Sequence, residues 1–369
     1  MKITCDRGIL ASALAAVAPA IPGRTTRPVL NCVKLLADGD SVTLTAYDTE
    51  VGIRRTFTAE VQRGGTCLIP HKQLADIVKE SSEQMVSIEA NNGTVVRFGK
   101  SKFNLPEFPV EEFPDLPNAI TDAPTHEIAA GIVRRMIRRS AFAADKKDST
   151  RFALSGVLWE VQDGSANLVG TDSKRLAIAS GQATTPAEAV GKTALIPARS
   201  LNLLERNLGD EGEPVAVQLS PSQAVFRTGQ SAIYTRLVEG RYPPFRDIVS
   251  QSRKKMDTSF TLPVGEFLSR VRQAAIMADG EGKRVDMTFG QGLVTMQARG
   301  ADVGSSQVEM GIDYMGADIA IAFDPSYLSE FLRVIEDAGK VDLHLADGSK
   351  PALFTVGDDY QYLVMPLAQ

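Results

Sequence analysis

Three prolines, Pro70, Pro197 and Pro325, fall 127 and 128 residues apart, and each heads the same local pattern. Leu68-Ile69-Pro70, Leu195-Ile196-Pro197 and Phe323-Asp324-Pro325 each open a stretch whose apolar residues recur at helical spacing. Proline suits the first turn of a helix, where its missing N–H has no partner to lose. After each predicted helix come two β-like runs: 85–89 and 94–98, 215–219 and 224–227, 341–345 and 352–356. A second predicted helix opens each unit, at 8–17, 130–142 and 264–277. Asp38-Gly39 precedes Tyr47-Asp48 as Asp163-Gly164 precedes Thr171-Asp172, so the first two units also match between their helices. A repeat of about 125 residues is far longer than a solenoid unit and is read as a whole domain. The expected fold class is α+β, with three repeated domains over 1–120, 125–250 and 255–369. Pro114, Pro117 and Pro124 mark one joint, and the polar run 250–257, with Arg253, Lys254 and Lys255, is expected as a linker at the other.

The 369 residues are 43% apolar and 23% charged, enough to bury a core, so disorder is not expected. The net charge of −5 means that any nucleic-acid reading must rest on where the basic residues sit. Cys5, Cys32 and Cys67 are odd in number and form no CxxC, which points to reduced thiols in a cytoplasmic protein. His71, His126 and His344 lack metal-ligand spacing, so neither metal nor cofactor is expected. The alanine-rich start resembles a leader, but Asp6 and Arg7 precede its apolar run, and Ile9, Leu10, Leu14 and Val17 fit a helix face. No stretch has the roughly 20 apolar residues of a membrane span.

Basic residues recur at equivalent positions. Lys72 and Arg199 lie two residues after their prolines, and Lys79 and Arg206 nine after. Seven residues return to nearly the same side of a helix. The third unit has Tyr327 and Val334 there, with Arg333 one position off. The helix from Ala130 carries Arg134, Arg135, Arg138 and Arg139, expected on a face opposite Ile132, Val133, Met136 and Ile137. Such a surface would meet phosphates without reading bases.

Catalytic motifs are missing. Gly191-Lys192-Thr193 has the end of a phosphate loop, but the required earlier glycine is Pro186, so a plain turn is expected. Asp48 and Asp172, equivalent in the repeat, are expected to shape turns. No enzyme is expected.

Longer motifs carry a resemblance. Arg151-Phe152-Ala153-Leu154-Ser155-Gly156, Gly170-Thr171-Asp172-Ser173-Lys174-Arg175-Leu176-Ala177, Leu237-Val238-Glu239-Gly240-Arg241-Tyr242-Pro243 and the ending Tyr362-Leu363-Val364-Met365-Pro366-Leu367 resemble the bacterial sliding clamp, the β subunit of DNA polymerase III. The likeness runs the full length. It implies a clamp fold in which helices line a ring and antiparallel sheets lie outside, formed by a head-to-tail homodimer around double-stranded DNA. The ring would bind short peptides of the polymerase catalytic subunit, the clamp loader and other proteins bearing the same motif.

By position the resemblance gives a peptide pocket of Leu154, Thr171, Lys174, Arg175, Leu176, Pro243, Ile248, Tyr327, Leu363, Val364, Met365, Pro366 and Leu367. DNA contacts would be Arg24, Lys72, Lys146, Lys147, Arg199 and Arg206. The subunit interface would join Phe103 and Leu105 to Ile276 and Met277. Three departures stand out: Ser173-Lys174 where the family often has Gly-His, Asp247 where it often has a basic residue, and Ser305-Ser306-Gln307 where an acidic run could face Lys100 and Lys102. The interface is therefore expected to lean on apolar contacts. A monomeric DNA-binding module of the same build and a nucleotide enzyme using Lys192 stand as the other readings.

Overall fold

The computed structural model describes residues 1–91, 93–106, 108–116, 123–145, 152–278, 283–300 and 303–368. Seven α-helices occur among the described residues: α1 (Arg7–Val17), α2 (His71–Glu80), α3 (Ala130–Ser140), α4 (Ala198–Asn207), α5 (Phe245–Arg253), α6 (Val264–Ala275) and α7 (Pro325–Arg333). All but α5 follow a strand within a residue. Pro70 and Pro197 do not sit in the first turn as expected; they are N-caps that also end the preceding strand. Their φ values of −54° and −52° with ψ of 116° and 131° suit a residue that is still extended while a helix begins. Pro325 does occupy the first turn, behind Asp324, whose Oδ1 accepts the Ser326 N–H at 2.8 Å.

The chain divides into two compact units. The first holds Met1–Arg134 and Ala183–Leu237, the second Arg135–Gln182 and Val238–Gln369. In the first unit a five-stranded antiparallel sheet runs in the order Glu60–Arg63, Lys2–Asp6, Met85–Ala90, Thr94–Phe98, Ser101–Leu105. An eight-stranded sheet runs Thr125–Ala129, Pro214–Leu219, Gln223–Thr228, Ser231–Arg236, Val51–Thr58, Ser41–Tyr47, Cys32–Asp38, Gly65–Pro70. The Asp38/Ser41 pair closes one of its hairpins, with Gly39 at φ 58°, a left-handed value that glycine takes without a Cβ clash. Helix α1 buries Leu10, Ala13, Leu14 and Val17, and α2 buries Leu74 and Val78. Each large aliphatic side chain so buried contributes about 2 kcal/mol of transfer free energy.

In the second unit the strands Gly156–Gln162, Ser165–Thr171, Arg175–Gln182, Tyr360–Val364, Ala352–Val356, Lys340–Leu345 and Thr258–Pro263 lie side by side in that order. A four-stranded sheet follows the order Gly304–Gly311, Leu293–Gly300, Val285–Gly290, Ile319–Phe323. The aromatic core here includes Phe331 stacked on Tyr362 at 4.3 Å, with Phe354 and Tyr360 beside them.

One rule of pairing repeats. The last strand of the second repeat, Ser231–Arg236, pairs antiparallel with Val51–Thr58 of the first. The last strand of the third, Tyr360–Val364, pairs in the same way with Arg175–Gln182 of the second. Among the strands that lie at sheet edges, two stand at the positions that this rule pairs: Ser101–Leu105, the last of the first repeat, and Gly304–Gly311, the third strand after α6 in the third.

Three expectations need correction. The run 250–257 is not all linker, because α5 extends to Arg253; Phe245 and Val249, one turn apart, are both buried and hold a helix that the polar residues between them hide. The helix expected over 130–142 is α-helical only to Ser140 and tightens to a 3-10 turn at Ala141–Ala143. Its four arginines do not share one solvated face. Arg135 and Arg138 are exposed, whereas Arg139 is buried, its guanidinium 3.5 Å from Asp359 and over the Tyr360 ring at 5.2 Å. Arg134 is half-buried and donates to the Gly209 carbonyl at 2.8 Å. A guanidinium with a carboxylate and an aromatic face can leave water, which helical periodicity cannot register.

Candidate partner site, basic faces and open strand edges

The site implied at the C-terminus is built on a hairpin turn. Asp172 Oδ1 accepts the N–H groups of Lys174 and Arg175 at 2.9 and 3.0 Å, and Ser173 between them has φ 75°. The equivalent Asp48 does the same for Glu50 and Val51, at 3.1 and 2.8 Å, around Thr49 at φ 83°. Both aspartates therefore shape turns, as expected. The family's frequent glycine at position 173 would relieve a left-handed conformation that serine holds at a cost of about 1 kcal/mol.

Arg175, at the start of its strand, is buried. Its Nε lies 3.0 Å from Asp172 Oδ2, its Nη1 2.6 Å from Glu330 Oε2, and its Nη2 donates to the Phe142 carbonyl at 3.0 Å. The guanidinium lies over the Tyr327 ring at 4.6 Å and the Phe142 ring at 5.3 Å. Burial opposes its charge, but Tyr362 and the Glu330 and Asp172 carboxylates more than offset this and raise its hold on the proton. Burial likewise pushes the Tyr362 phenol up. Arg175 is thus a fixed floor of the site, with its nitrogens committed inside the protein.

The structure brings most of the remaining pocket residues around this floor. Arg175 and Leu176 pair across the sheet with Val364 and Leu363. The Met365 N–H donates to the Lys174 carbonyl at 2.8 Å and the Leu367 N–H to the Ala322 carbonyl at 2.8 Å, which ties the tail Met365-Pro366-Leu367 at both ends. Met365 is exposed, while Pro366 and Leu367 are half-buried. Thr171 is buried, its hydroxyl donating to the Arg175 carbonyl at 2.6 Å. Leu154 is buried in a 3-10 segment, and Ala153 beside it packs against Gly240. The loop leading to half-buried Pro243 is anchored by Tyr242, whose hydroxyl donates to the Val169 carbonyl at 2.7 Å. Ile248 is exposed on α5, whose Arg246 pairs with Glu160. Lys174 is exposed. Sequence reasoning missed Glu330 and Phe142. Glu330 lies one turn after Tyr327 on α7, a spacing that could have drawn notice.

Lys72, Lys79, Arg199 and Arg206 are exposed on α2 and α4, and Arg24 is exposed in the loop after α1. Arg199 is also engaged: its Nη2 lies 2.6 Å from Asp48 Oδ2 and donates to the Pro19 carbonyl at 3.0 Å. Lys146 and Lys147, like Pro117 and Arg151, lie outside the described residues. Phe103 is exposed and Leu105 half-buried on one open edge strand. Ile276 is 72% exposed at the end of α6, with Met277 half-buried beside it. Lys192 enters its strand through a turn, its N–H donating to the Ala189 carbonyl at 3.1 Å, which leaves no open phosphate loop there. Among the described residues no group of three His, Cys, Asp or Glu could hold a metal ion, and no helix is long and apolar enough to cross a membrane.

A threefold α+β repeat, exposed cations at equivalent helix positions and a site assembled from a C-terminal tail define a DNA-clamp type of protein. The N-terminal, central and C-terminal domains of the DNA polymerase III beta subunit match residues 1–117, 127–244 and 254–368. The chain belongs to this family, the bacterial sliding clamps, which are non-catalytic processivity factors. It is 29% identical to the beta sliding clamp of Chlamydia pneumoniae, covering 100% of this chain and 99% of that one. It is 30% identical to that of Streptomyces coelicolor, with the same coverages. The Bacillus subtilis DNA polymerase sliding clamp structure superposes with a TM-score of 0.93 at 25% identity, covering 100% and 99%. A Pseudomonas aeruginosa DNA polymerase III subunit beta gives 0.93 at 27% identity with full coverage of both chains, and a griselimycin-bound clamp from that organism also gives 0.93. The fold class and the expectation of a non-enzyme stand on these matches.

Proposed function

We propose that two copies of this chain close head to tail into a ring around duplex DNA in the cytoplasm and tether the replicative polymerase to its template. One observation carries the reading. At both junctions within the chain, the last strand of one repeat pairs with the third strand after the opening helix of the preceding repeat, Ser231–Arg236 with Val51–Thr58 and Tyr360–Val364 with Arg175–Gln182. The same rule applied between copies pairs Ser101–Leu105 with Gly304–Gly311, which both lie at sheet edges. Unpaired edges are otherwise a liability for association without limit, and a head-to-tail contact that closes removes both. In this arrangement Phe103 and Leu105 meet Ile276 and Met277.

The three domains run 1–120, 125–250 and 255–369. Arg24, Lys72, Lys146, Lys147, Arg199 and Arg206 approach phosphates, releasing counterions without reading sequence. Because the ring holds DNA topologically, each contact can stay weak enough for sliding. The surface around Leu176, Tyr327, Met365 and Leu367 receives short apolar peptides of the polymerase, the clamp loader and other partners. Its adaptable methionine suits a site that serves several ligands, and griselimycin on the Pseudomonas aeruginosa clamp gives the reading a ligand precedent. Sedimentation equilibrium at micromolar concentration tests the ring. A species of twice the chain's mass is expected, and a stable monomer refutes it.

A further inference from the structure

The two internal junctions have a second feature in common. At the first, Arg199 on α4 pairs with Asp48 of the preceding repeat and donates to Pro19, just past α1. At the second, Glu330 on α7 pairs with Arg175 of the preceding repeat, whose guanidinium also meets Phe142, just past α3. In each case the second helix of one repeat makes an ion pair beside the end of the first helix of the repeat before it. Between copies the corresponding elements are α2 and the end of α6. The open strands supply little ionic complement: Lys100 and Lys102 are exposed, but Gly304–Gly311 offers Ser305, Ser306 and Gln307, with Glu309 as its one acid, already accepting from Gln307 at 3.1 Å.

The helices supply it instead. The C-terminal end of α2 and the open strand frame a cavity of about 400 Å³ with an apolar floor of Ile77, Phe98 and Phe103 and a rim of Asp76, Glu80 and Glu83. All three acids are exposed. On α6, Ser269, Arg272 and Ile276 line a shallow depression that also contains Glu336. Arg272 is exposed one turn before Ile276, so a cation and a protruding apolar side chain share one face. An apolar knob with a cation beside it fits an apolar hole with an acidic rim. We infer that Ile276 of a second copy of this chain enters this cavity and that Arg272 beside it pairs with the Asp76, Glu80 and Glu83 carboxylates, moving the ionic lock of the interface from the edge strands to the helices. The inference rests on the head-to-tail reading. It replaces an interface held by apolar contacts alone with one whose stability falls with salt, because a rim ion pair is screened.

The test is the dimer dissociation constant of the full chain by sedimentation or dilution light scattering. Arg272→Glu and Glu80→Lys each place like charges across the interface and are expected to weaken the dimer about tenfold at low salt. The double variant restores opposite signs at these two positions, with Asp76 and Glu83 unchanged, and is expected to weaken the dimer less than Arg272→Glu alone. Both positions are exposed, and an unchanged melting temperature checks that each variant folds. Single variants without effect, or a double variant whose losses add, overturn the inference. Ile276→Asp separates the two claims. A dimer that it splits while Arg272→Glu leaves intact overturns the ionic lock alone; an unmodified chain that stays monomeric overturns the ring and the lock together.

Discussion

Asp48 and Asp172 occupy the same place in two repeats, yet their arginine partners differ in burial, so the pair measures what burial does to an ion pair. The Arg175 side chain is 5% exposed and its two carboxylates 14% and 32%. The Arg199 side chain is 53% exposed; Asp48, itself 5% exposed, keeps the Glu50 and Val51 N–H donors without it. Arg175→Leu removes three charge-assisted hydrogen bonds, to Asp172, Glu330 and the Phe142 carbonyl, each worth about 1.5–3 kcal/mol, and two cation–π contacts of about 0.5–1 kcal/mol. Asp172 keeps its two backbone N–H donors, and Glu330 can turn to water, so the net loss is about 3–4 kcal/mol. Arg199→Leu, with its guanidinium half in water, costs about 1 kcal/mol. Urea unfolding followed by circular dichroism compares the two variants. Trp159, the single tryptophan, is buried in the sheet that Arg175 joins and reports that unit by fluorescence. Adding Glu330→Gln to Arg175→Leu is expected to change stability by less than about 1 kcal/mol further, because the Glu330 carboxylate, 32% exposed, can turn to water. A loss below about 1 kcal/mol for Arg175→Leu, or one no larger than that for Arg199→Leu, refutes the reasoning.

Three further outcomes are expected. Met365→Ala combined with Leu367→Ala weakens binding of a polymerase-derived peptide tenfold or more by fluorescence anisotropy and leaves the dimer intact; unchanged affinity refutes the pocket. Burial raises the Cys5, Cys32 and Cys67 thiols to about 12, 11 and 12, so none reacts with a thiol reagent at pH 8 until the protein unfolds; rapid labelling of the native protein contradicts this burial. Burial lowers His126 from 6.5 to about 4, so the unfolded chain takes up a proton that the folded chain refuses between those values. Stability therefore falls as pH drops from 6.5 to 4, by up to about 3 kcal/mol from this group, and His126→Gln flattens that part of the profile; an unchanged profile contradicts it.

Much of this fold is legible in local chemistry. The proline-headed helices, the Asp-Gly hairpins and the strands 94–98 and 352–356 follow from residues a few positions apart, and the structure has them. The opening strands Lys2–Asp6, Thr125–Ala129 and Thr258–Pro263 do not stand out, because each alternates over only two buried side chains and their pairing partners lie far along the chain. Helix α5 was hidden by the polar residues around its single buried pair. Arg139 was read as solvated because periodicity treats every guanidinium as facing water, whereas Asp359 and Tyr360, some 220 residues on, give it a buried place. Arg175 and Glu330 lie 155 residues apart, so the floor of the candidate site could not be read locally either. The apolar tail and its turn were legible through motif likeness; what holds them in place required the sheet pairing.

The central claim is topological capture of DNA, and retention on a closed circle tests it most directly. Clamps loaded by a clamp loader onto nicked circular DNA are separated from free protein by gel filtration, before and after a single-cut nuclease opens the circle. The account predicts that the protein stays with the circle in high salt and is lost once the DNA is linear. Equal loss from both forms, or equal retention on both, contradicts it.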